Sequence, residues 1–101
     1  MRSNEPIYAI DEYPEGRRYE GYKVKGKKEG EGRFYLNDRL CFEGYWRNDL
    51  MEGRGRLYYE SGRLAYEGFF YENKFHGHGV LYNEHPEPLA TAFNHANFED
   101  I

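Results

Sequence analysis

Three Gly-x-Gly motifs are the first residues in the chain whose spacing suggests chemistry. They are Gly30/Gly32, Gly53/Gly55 and Gly77/Gly79. A glycine-rich turn before a helix binds phosphate, because bare backbone N–H groups and the helix N-terminus attract the anion. None of the copies has the third glycine of that fingerprint, and strand-forming residues follow each one. The spacing therefore predicts a structural role for these glycines.

His76 and His78 have a spacing that suggests metal binding. Alternate residues of a strand point to the same face, so two imidazoles could share one ion. In the repeats described below, however, His76 occupies the position of Glu29 and Glu52. Such positions are polar, so we interpret the histidines as surface residues and predict neither a metal site nor a cofactor.

The serine and cysteine residues do not support nucleophilic catalysis. The only serines are Ser3 and Ser61, and Ser61 lies in a predicted tight turn. Cys41 is the single cysteine, and the repeat pattern places no histidine beside it. The repeat also spreads the glutamates along the chain instead of gathering them in a pocket. We therefore predict no catalytic residue and a non-enzymatic protein.

Basic residues are concentrated in one stretch, although the chain as a whole has a formal net charge of −4. The negative balance argues against nucleic-acid binding. Near an anionic membrane, each basic residue contributes about 1 kcal/mol. The stretch is therefore an alternative site, for membrane lipid or phosphoinositide, formed by Arg17, Arg18, Lys23, Lys25, Lys27 and Lys28. The other interpretation is that these basic residues simply form a solvent-exposed edge of the sheet.

The single cysteine also bears on the compartment. Cys41 cannot form an intrachain disulfide, which is typical of a reducing, intracellular environment. No apolar run is long enough to span a bilayer, and the first residues lack a secretory apolar segment. We therefore expect a cytoplasmic protein, with association to a membrane or to the cytoskeleton left open.

Two sequence marks recur together and divide the chain into repeats. An aromatic-Glu-Gly triplet begins at Tyr19, Phe42 and Tyr66, which gives a period of 23 and then 24 residues. The glycine of each triplet is followed nine residues later by a Gly-x-Gly. Two different motifs would rarely recur together at the same spacing three times by chance. The residues that carry the repeat are Tyr19, Gly21, Gly30, Gly32, Phe42, Gly44, Gly53, Gly55, Tyr66, Gly68, Gly77 and Gly79.

Each period is predicted to form two strands and two turns. The triplet starts one strand, as in 42–46, and the Gly-x-Gly starts the next, as in 53–59. Short connections between successive strands give an antiparallel meander, and an aromatic content of 19% favours β-structure over disorder. Turn-forming residues separate the strands at 25–27, 37–39, 48–49, 60–62 and 73–74.

Alternation along the strands predicts two faces. We expect Phe42 and Trp46 to share a face with the triplet glycines, and Gly53 to share a face with Gly55 and Leu57. Rings of one strand are expected to pack over glycines of its neighbours, because a missing side chain leaves room for a ring. On the opposite face we expect aromatic residues and cross-strand ion pairs, the latter among Glu20, Glu43, Glu67, Arg33, Arg54 and Arg56.

The ends of the chain resemble partial repeats. Residues 7–13 are predicted to pair with the first triplet strand, and Ala92-Phe93-Asn94 resembles a decayed triplet. Atypical ends of this kind limit edge-to-edge pairing of a repeat array. We divide the chain into an N-terminal lead and capping strand (1–12), a repeat array (13–83, with repeats at about 19–41, 42–65 and 66–83) and a C-terminal cap or tail (84–101).

The first period resembles the MORN motif (membrane occupation and recognition nexus), which reads roughly YEGxWxxGxxxGxG. The resemblance rests on the first triplet, the turn at 25–27 and the Gly-x-Gly that begins at Gly30. The next two periods match as well, with Trp46 and Phe70 at the aromatic position, so the resemblance covers residues 13–83. It implies an all-β, single-layer, elongated antiparallel β-meander of about three MORN repeats with partial repeats at both ends. It also implies an adaptor, scaffold or dimerisation role without catalytic activity.

A one-layer sheet leaves aromatic surface exposed unless a partner covers it. Aromatic residues are also favoured at the centres of interfaces. We therefore expect a protein partner, such as an amphipathic helix along the groove of the twisted sheet, and self-association through the sheet edges. The residues expected to contact the partner or line the groove are Tyr45, Trp46, Tyr58, Phe69, Phe70 and Tyr82.

Overall fold

Eight antiparallel strands form one sheet in the computed structural model, which describes residues 4–84 with their side chains and the backbone of residues 88–97. The remaining parts of the predicted end segments, 1–3, 85–87 and 98–101, lie outside the described residues. The strands lie side by side in chain order. Their bounds are β1 Ile7–Glu12, β2 Arg17–Val24, β3 Lys27–Leu36, β4 Arg39–Arg47, β5 Leu50–Tyr58, β6 Leu64–Tyr71, β7 Lys74–Tyr82 and β8 Pro88–Asn97.

The sheet is one layer thick. Its principal dimensions are 48 × 28 × 16 Å, and no α-helix occurs among the described residues to cover either face. The predicted single-layer antiparallel meander is therefore confirmed, and so is the N-terminal strand that pairs with the first triplet strand. Because a sheet face normally packs against a second layer, the core here must come from side chains of the sheet itself.

Two-residue turns connect most of the strands. Both turn residues have positive φ at Asn37–Asp38, Asn48–Asp49 and Glu72–Asn73, and at Lys25–Gly26. Such turns match the right-handed twist of the strands that they join, and Asn, Asp and Gly tolerate them best. The strands run up to these turns, so the triplets and Gly-x-Gly motifs lie within strands and do not start them, contrary to the prediction. The turn predicted at 73–74 lies one residue earlier.

A row of glycines crosses the middle of the sheet. The register pairs one glycine from each of β2 to β7 with the next, and the row is Gly21, Gly32, Gly44, Gly55, Gly68 and Gly79. Rings lie directly over it. A Cβ on Gly55 would lie 2.7 Å from two ring atoms of Phe42, and a Cβ on Gly32 would lie 2.5 Å from Cε1 of Tyr19. The predicted packing of rings over glycines of the neighbouring strand is confirmed.

The first glycine of each Gly-x-Gly has a different role. Gly30, Gly53 and Gly77 have positive φ values of 89°, 97° and 70°. The register of β5 against β4 shifts beside Gly53, which places it at a β-bulge. A Cβ on Gly53 would lie 3.4 Å from the Cβ of Tyr45, whose side chain is exposed on the other face. The prediction that Gly53 shares a face with Gly55 was therefore wrong, because simple alternation does not continue through a bulge.

The last strand departs from the repeat register. In the regular repeats, the apolar residue two positions after the Gly-x-Gly pairs with the next triplet aromatic residue, as Phe34 pairs with Phe42 and Leu57 with Tyr66. Leu81 instead pairs with Ala90, and residues 92–94 pair with 76–78. The interpretation of 92–94 as a decayed triplet was thus wrong in register.

Turn residues tie neighbouring hairpins together. Asn73 Oδ1 accepts a hydrogen bond of 2.7 Å from the backbone N–H of Met51, and the backbone N–H of Asn73 donates to the Met51 carbonyl at 3.1 Å. Asp49 makes the same pair of bonds with Lys28, at 2.8 and 3.0 Å. Each turn therefore satisfies backbone groups of the hairpin before it. The sequence predicted turns at these places but not these bonds.

Candidate interaction surfaces

One face of the sheet carries a continuous chain of packed rings. We call this face, which carries Tyr19, Phe42 and Tyr66, the ring face. Trp46 meets Tyr19 and Phe42 edge to face, with centroid distances of 5.5 and 5.2 Å. Phe70 meets Phe42 and Tyr66 in the same way, at 5.2 Å each. Each such contact contributes about 0.5–1.5 kcal/mol beyond area burial. The ring chain is therefore the core of the one-layer sheet.

The polar ends of the buried rings are satisfied. The hydroxyl of Tyr19 donates to the carbonyl of Tyr22 at 2.7 Å, and that of Tyr66 donates to the carbonyl of Phe69 at 2.9 Å. Burial raises the pKa of both tyrosine hydroxyls. Since both stay protonated at neutral pH, they act as structural donors and not as titrating groups.

A groove of about 710 Å³ opens on the ring face. Its apolar lining comes from Phe34, Leu36, Phe42, Trp46, Met51 and Leu57. Its charged lining is mostly basic, with Arg17, Lys28 and Arg39 against the single carboxylate of Glu60. The remaining lining residues are Tyr13, Cys41, Tyr58 and Asn73. The groove therefore combines an apolar floor with a net positive rim.

Lys28 is held in place at this rim. Its ammonium lies 5.3 Å from the ring centroid of Trp46 and 5.5 Å from the centroids of Tyr13 and Tyr19. The carboxylate of Asp49 lies 3.8 Å from the same nitrogen. Rings attract a cation through their quadrupole within about 6 Å. The positive charge of Lys28 is thus fixed in position and only 17% of its side chain is exposed.

The opposite face, which we call the charge face, carries a ladder of alternating charges. Its rungs are Glu20, Arg33, Glu43, Arg56 and Glu67, one from each of β2 to β6. Nitrogen–oxygen distances are 3.3 Å for Arg33–Glu43, 3.6 Å for Arg56–Glu43 and 2.8 Å for Arg56–Glu67. The predicted cross-strand pairs are confirmed for Arg33, Glu43, Arg56 and Glu67. Glu20 instead pairs with Arg18 of its own strand.

Arg54, which was also expected in this ladder, lies over the ring of Phe69 at 5.4 Å. The charge-face ladder is therefore largely neutralised from within.

Tyr58 donates a hydrogen bond of 2.5 Å to the carboxylate of Glu43. This bond is the main reason why the pKa of Glu43 is lowered, with a further contribution from Arg33. Burial, together with the Glu43 carboxylate, raises the pKa of Tyr58 to about 12. The pair is therefore a neutral phenol bound to an ionised carboxylate across the pH range in which cells operate.

The six residues predicted to contact a partner do not lie on one surface. Trp46 and Phe70 belong to the ring core, with 8% and 2% exposure, although Trp46 also lines the groove. Tyr45 and Phe69 lie on the charge face and are 46% and 40% exposed. Tyr58 contributes to the groove lining, but its hydroxyl bonds Glu43 of the charge face.

Tyr82 is half-buried at the end of β7, where its carbonyl accepts a hydrogen bond from the Tyr59 hydroxyl. Phe34 and Leu36 of the groove were missed, although they follow Gly32 at alternate positions on the same face.

The basic stretch is divided between environments. Arg18 pairs with Glu20 at 2.9 Å and with Asp38 at 2.6 Å. Lys23 pairs with Asp11, and Lys28 lies over the rings of the groove. The other three members, Arg17, Lys25 and Lys27, are exposed. Ion pairing within the sheet thus occupies half of the positive charges that the sequence groups together.

Neither a metal cluster nor a spanning helix occurs in the described part of the chain. No group of three or more His, Cys, Asp or Glu is placed there to hold an ion. His76 and His78 flank Gly77, whose φ of 70° interrupts the regular alternation that a shared ligand pair would need. No helix formed by the described residues is long and apolar enough to cross a membrane.

Comparison with known proteins agrees with the repeat seen in sequence and structure. A search of curated proteins found no match. The family model described as MORN repeat matches three consecutive segments, 19–40, 42–62 and 66–83, which together cover more than half of the chain. This repeat is a non-enzymatic module that often takes part in protein or membrane interactions. The chain, with its three ring-over-glycine units in one sheet, belongs to the MORN repeat family.

Proposed function

We propose that this chain is a non-enzymatic scaffold whose ring-face groove binds an amphipathic helix of a protein partner, with acidic residues beside the apolar stripe of that helix. The observation that carries this proposal is the apolar floor with its basic rim. Arg17, Lys28 and Arg39 border the groove; Lys28 is paired with Asp49, and Glu60 is the one carboxylate in the lining, so the rim keeps a net positive charge. A helix with a complementary charge pattern would bury apolar side chains and meet opposite charges at its margins.

The spacing of the sheet supports a helix that crosses the strands. Neighbouring strands lie about 4.8 Å apart, and one turn of an α-helix rises about 5.4 Å. Each turn of such a helix would therefore lie over about one strand. The groove lining runs from Arg17 at the start of β2 to Asn73 in the turn before β7. Measured perpendicular to the strands, this span of roughly four to five strand spacings suits a helix of about 15 residues.

The groove is a better candidate than the two other surfaces. Tyr45 and Phe69 are exposed on the charge face, but they lie beside a ladder of charges that already pair with each other. The basic stretch is a weaker lipid site than its composition suggests, because Arg18 and Lys23 are engaged by carboxylates of the sheet. The groove combines concavity and an apolar lining with two basic residues, Arg17 and Arg39, that form no ion pair with another described residue.

Selection from a displayed library of 15-residue helical peptides tests the proposal. We expect the recovered peptides to carry apolar residues at i, i+3, i+4 and i+7 with acidic residues beside them. The chain has a single tryptophan, Trp46, which lines the groove. Its fluorescence emission therefore reports occupancy directly, and a synthetic copy of a recovered peptide should shift it saturably.

Matched variants locate the binding site. Leu36→Asp places a negative charge on the groove floor, where the cross-strand neighbours Arg17 and Arg39 can accommodate it. We expect it to weaken peptide binding about tenfold, which corresponds to about 1.4 kcal/mol. Tyr45→Ala, on the other face, should leave binding unchanged. Peptides that bind Leu36→Asp as tightly as the parent would contradict the proposal, as would recovered peptides that are mainly basic. Binding to anionic vesicles that is lost in Lys25→Glu/Lys27→Glu would favour the lipid alternative.

A further inference from the structure

The edge strand β1 has the three most exposed large apolar side chains of the described residues. Ile7 is 69% exposed, Ile10 is 62% and Tyr8 is 52%. β1 pairs with β2 along one side, and no described strand lies along its other side. Its outer backbone N–H and C=O groups are therefore available to a further strand.

Several features that normally protect an edge are missing from β1, and its charged residues, Asp11 and Glu12, are confined to its last two positions. Proteins block edge pairing with lysine, proline, bulges or inward charges. The β1 sequence from Ile7 to Glu12 contains neither lysine nor proline. Its pairing with β2 runs without a register shift, whereas each of the other strand pairs has at least one. β1 is thus a template for strand addition that is regular throughout and apolar from Ile7 to Ile10.

From this edge we infer that two copies of the chain associate through antiparallel β1–β1 pairing about a two-fold axis at Ala9. In a shared sheet, directly paired residues must point to the same face, so a residue of odd number pairs with one of odd number. With the axis at Ala9, Tyr8 lies opposite Ile10 of the second copy, and Ile10 lies opposite its Tyr8. Aromatic and β-branched residues form favourable cross-strand pairs.

The neighbouring registers fit less well. An axis at Tyr8 would set Glu5 opposite Asp11 of the second copy, so like charges would face each other. An axis at Ile10 would set Tyr8 opposite Glu12 and leave it without an apolar partner. With the axis at Ala9, Asp11 lies opposite Ile7 and Glu12 lies opposite Pro6, so no directly opposed pair carries like charges. The strand is therefore self-complementary in this register.

The two-fold axis has a consequence for the grooves. It runs perpendicular to the sheet, so the ring faces of both copies point to the same side of one continuous sheet. Six residues of edge pairing bury less than the roughly 1,200 Å² of a stable interface. We expect a reversible dimer with a Kd on the order of 100 µM. This self-association is independent of the groove proposed above.

Sedimentation equilibrium of the purified chain, from about 10 µM to 1 mM, tests the dimer. We expect a monomer–dimer equilibrium that Ile10→Lys weakens at least tenfold, with an unchanged circular dichroism spectrum because this side chain is exposed. Phe69→Lys, an exposed change on the charge face, should leave the dimer intact. A monomer at 1 mM would overturn the inference. A dimer that survives Ile10→Lys would also overturn it, and so would growth beyond the dimer.

Disulfide trapping in a Cys41→Ser background tests the register. Directly opposed residues of an antiparallel pair have Cα atoms about 4.5–5.5 Å apart, within disulfide range. Ala9→Cys should therefore cross-link two copies readily. Ile7→Cys is more exposed, but in the proposed register its two sulfurs lie four residues out of step, about 13 Å apart. Faster cross-linking of Ile7→Cys than of Ala9→Cys would contradict the register.

Discussion

Gly55→Ala puts the packing of rings over glycines to a quantitative test. The added Cβ would lie 2.7 Å from Cε1 and Cζ of Phe42 and 3.2 Å from Cε1 of Phe70. Both rings are 2% exposed and lock each other edge to face, so neither can move without opening the core. Overpacking of this kind costs about 1–3 kcal/mol. If the rings were absent, alanine would stabilise this strand position by about 0.5–1 kcal/mol.

The two effects have opposite signs, so the experiment has a clear outcome. We expect a net loss of about 1–2 kcal/mol in the free energy of unfolding, measured by urea titration with the midpoint and slope fitted together. Phe42→Leu shortens the ring that lies over Gly55, so the cost of Gly55→Ala should fall by about 1 kcal/mol in that background. A stabilising Gly55→Ala, or a double-mutant coupling within about 0.5 kcal/mol of zero, would refute the reasoning.

Two further predictions concern hydrogen bonds described above. Tyr58→Phe removes the bond that lowers the pKa of Glu43, so carboxyl NMR should show that pKa rising. Glu43 contributes stability above its unfolded-state pKa, and this contribution is lost as the pH falls through its folded-state pKa, so acid unfolding should begin at a higher pH in the variant. The pKa of Tyr58 is raised to about 12, so the parent should lose stability as the pH rises from about 10 to 12, and the variant should lose less. Asn73→Gly keeps the turn but removes the acceptor for the Met51 N–H. It should lower the free energy of unfolding by about 1–2 kcal/mol and speed amide exchange at Met51. Asn73→Asp keeps an acceptor oxygen and should lower the free energy of unfolding by less.

Much of the architecture was readable from residue types at fixed spacing. The aromatic-Glu-Gly triplet and the Gly-x-Gly specify where an aromatic ring packs against the backbone of a glycine. Because this packing is needed in every period, the sequence repeats the same residue types at the same spacing. The first glycine of each motif was misassigned because strict alternation assumes an unbroken ladder. Gly53 lies at a bulge, where its φ of 97° suits glycine. The bonds from Asn73 to Met51 join residues 22 positions apart, and no local pattern records them.

The binding surface was harder to predict than the fold. Aromatic residues occur on both faces, and alternation separates the faces without indicating which one buries its rings. Trp46 and Phe70 are therefore core residues, although their types are typical of interface centres. The groove depends on the side chains that follow the glycine row, such as Phe34 and Leu36, and on which basic residues remain uncompensated. The three-dimensional structure is needed to see that Arg18 and Lys23 are neutralised by ion pairs and so do not add to the positive charge of the surface.

The strictly sequential strand order has a consequence for how the molecule is made and how it comes apart. Every strand bonds to its neighbours in the chain, so the contacts that build the sheet have low contact order and can form by extension from any hairpin. Loss of structure should likewise start at the terminal strands and move inwards. One whole period can in principle be duplicated or removed without changing the register of the others. The length of the scaffold is then a variable that evolution or engineering can adjust in steps of about 23 residues.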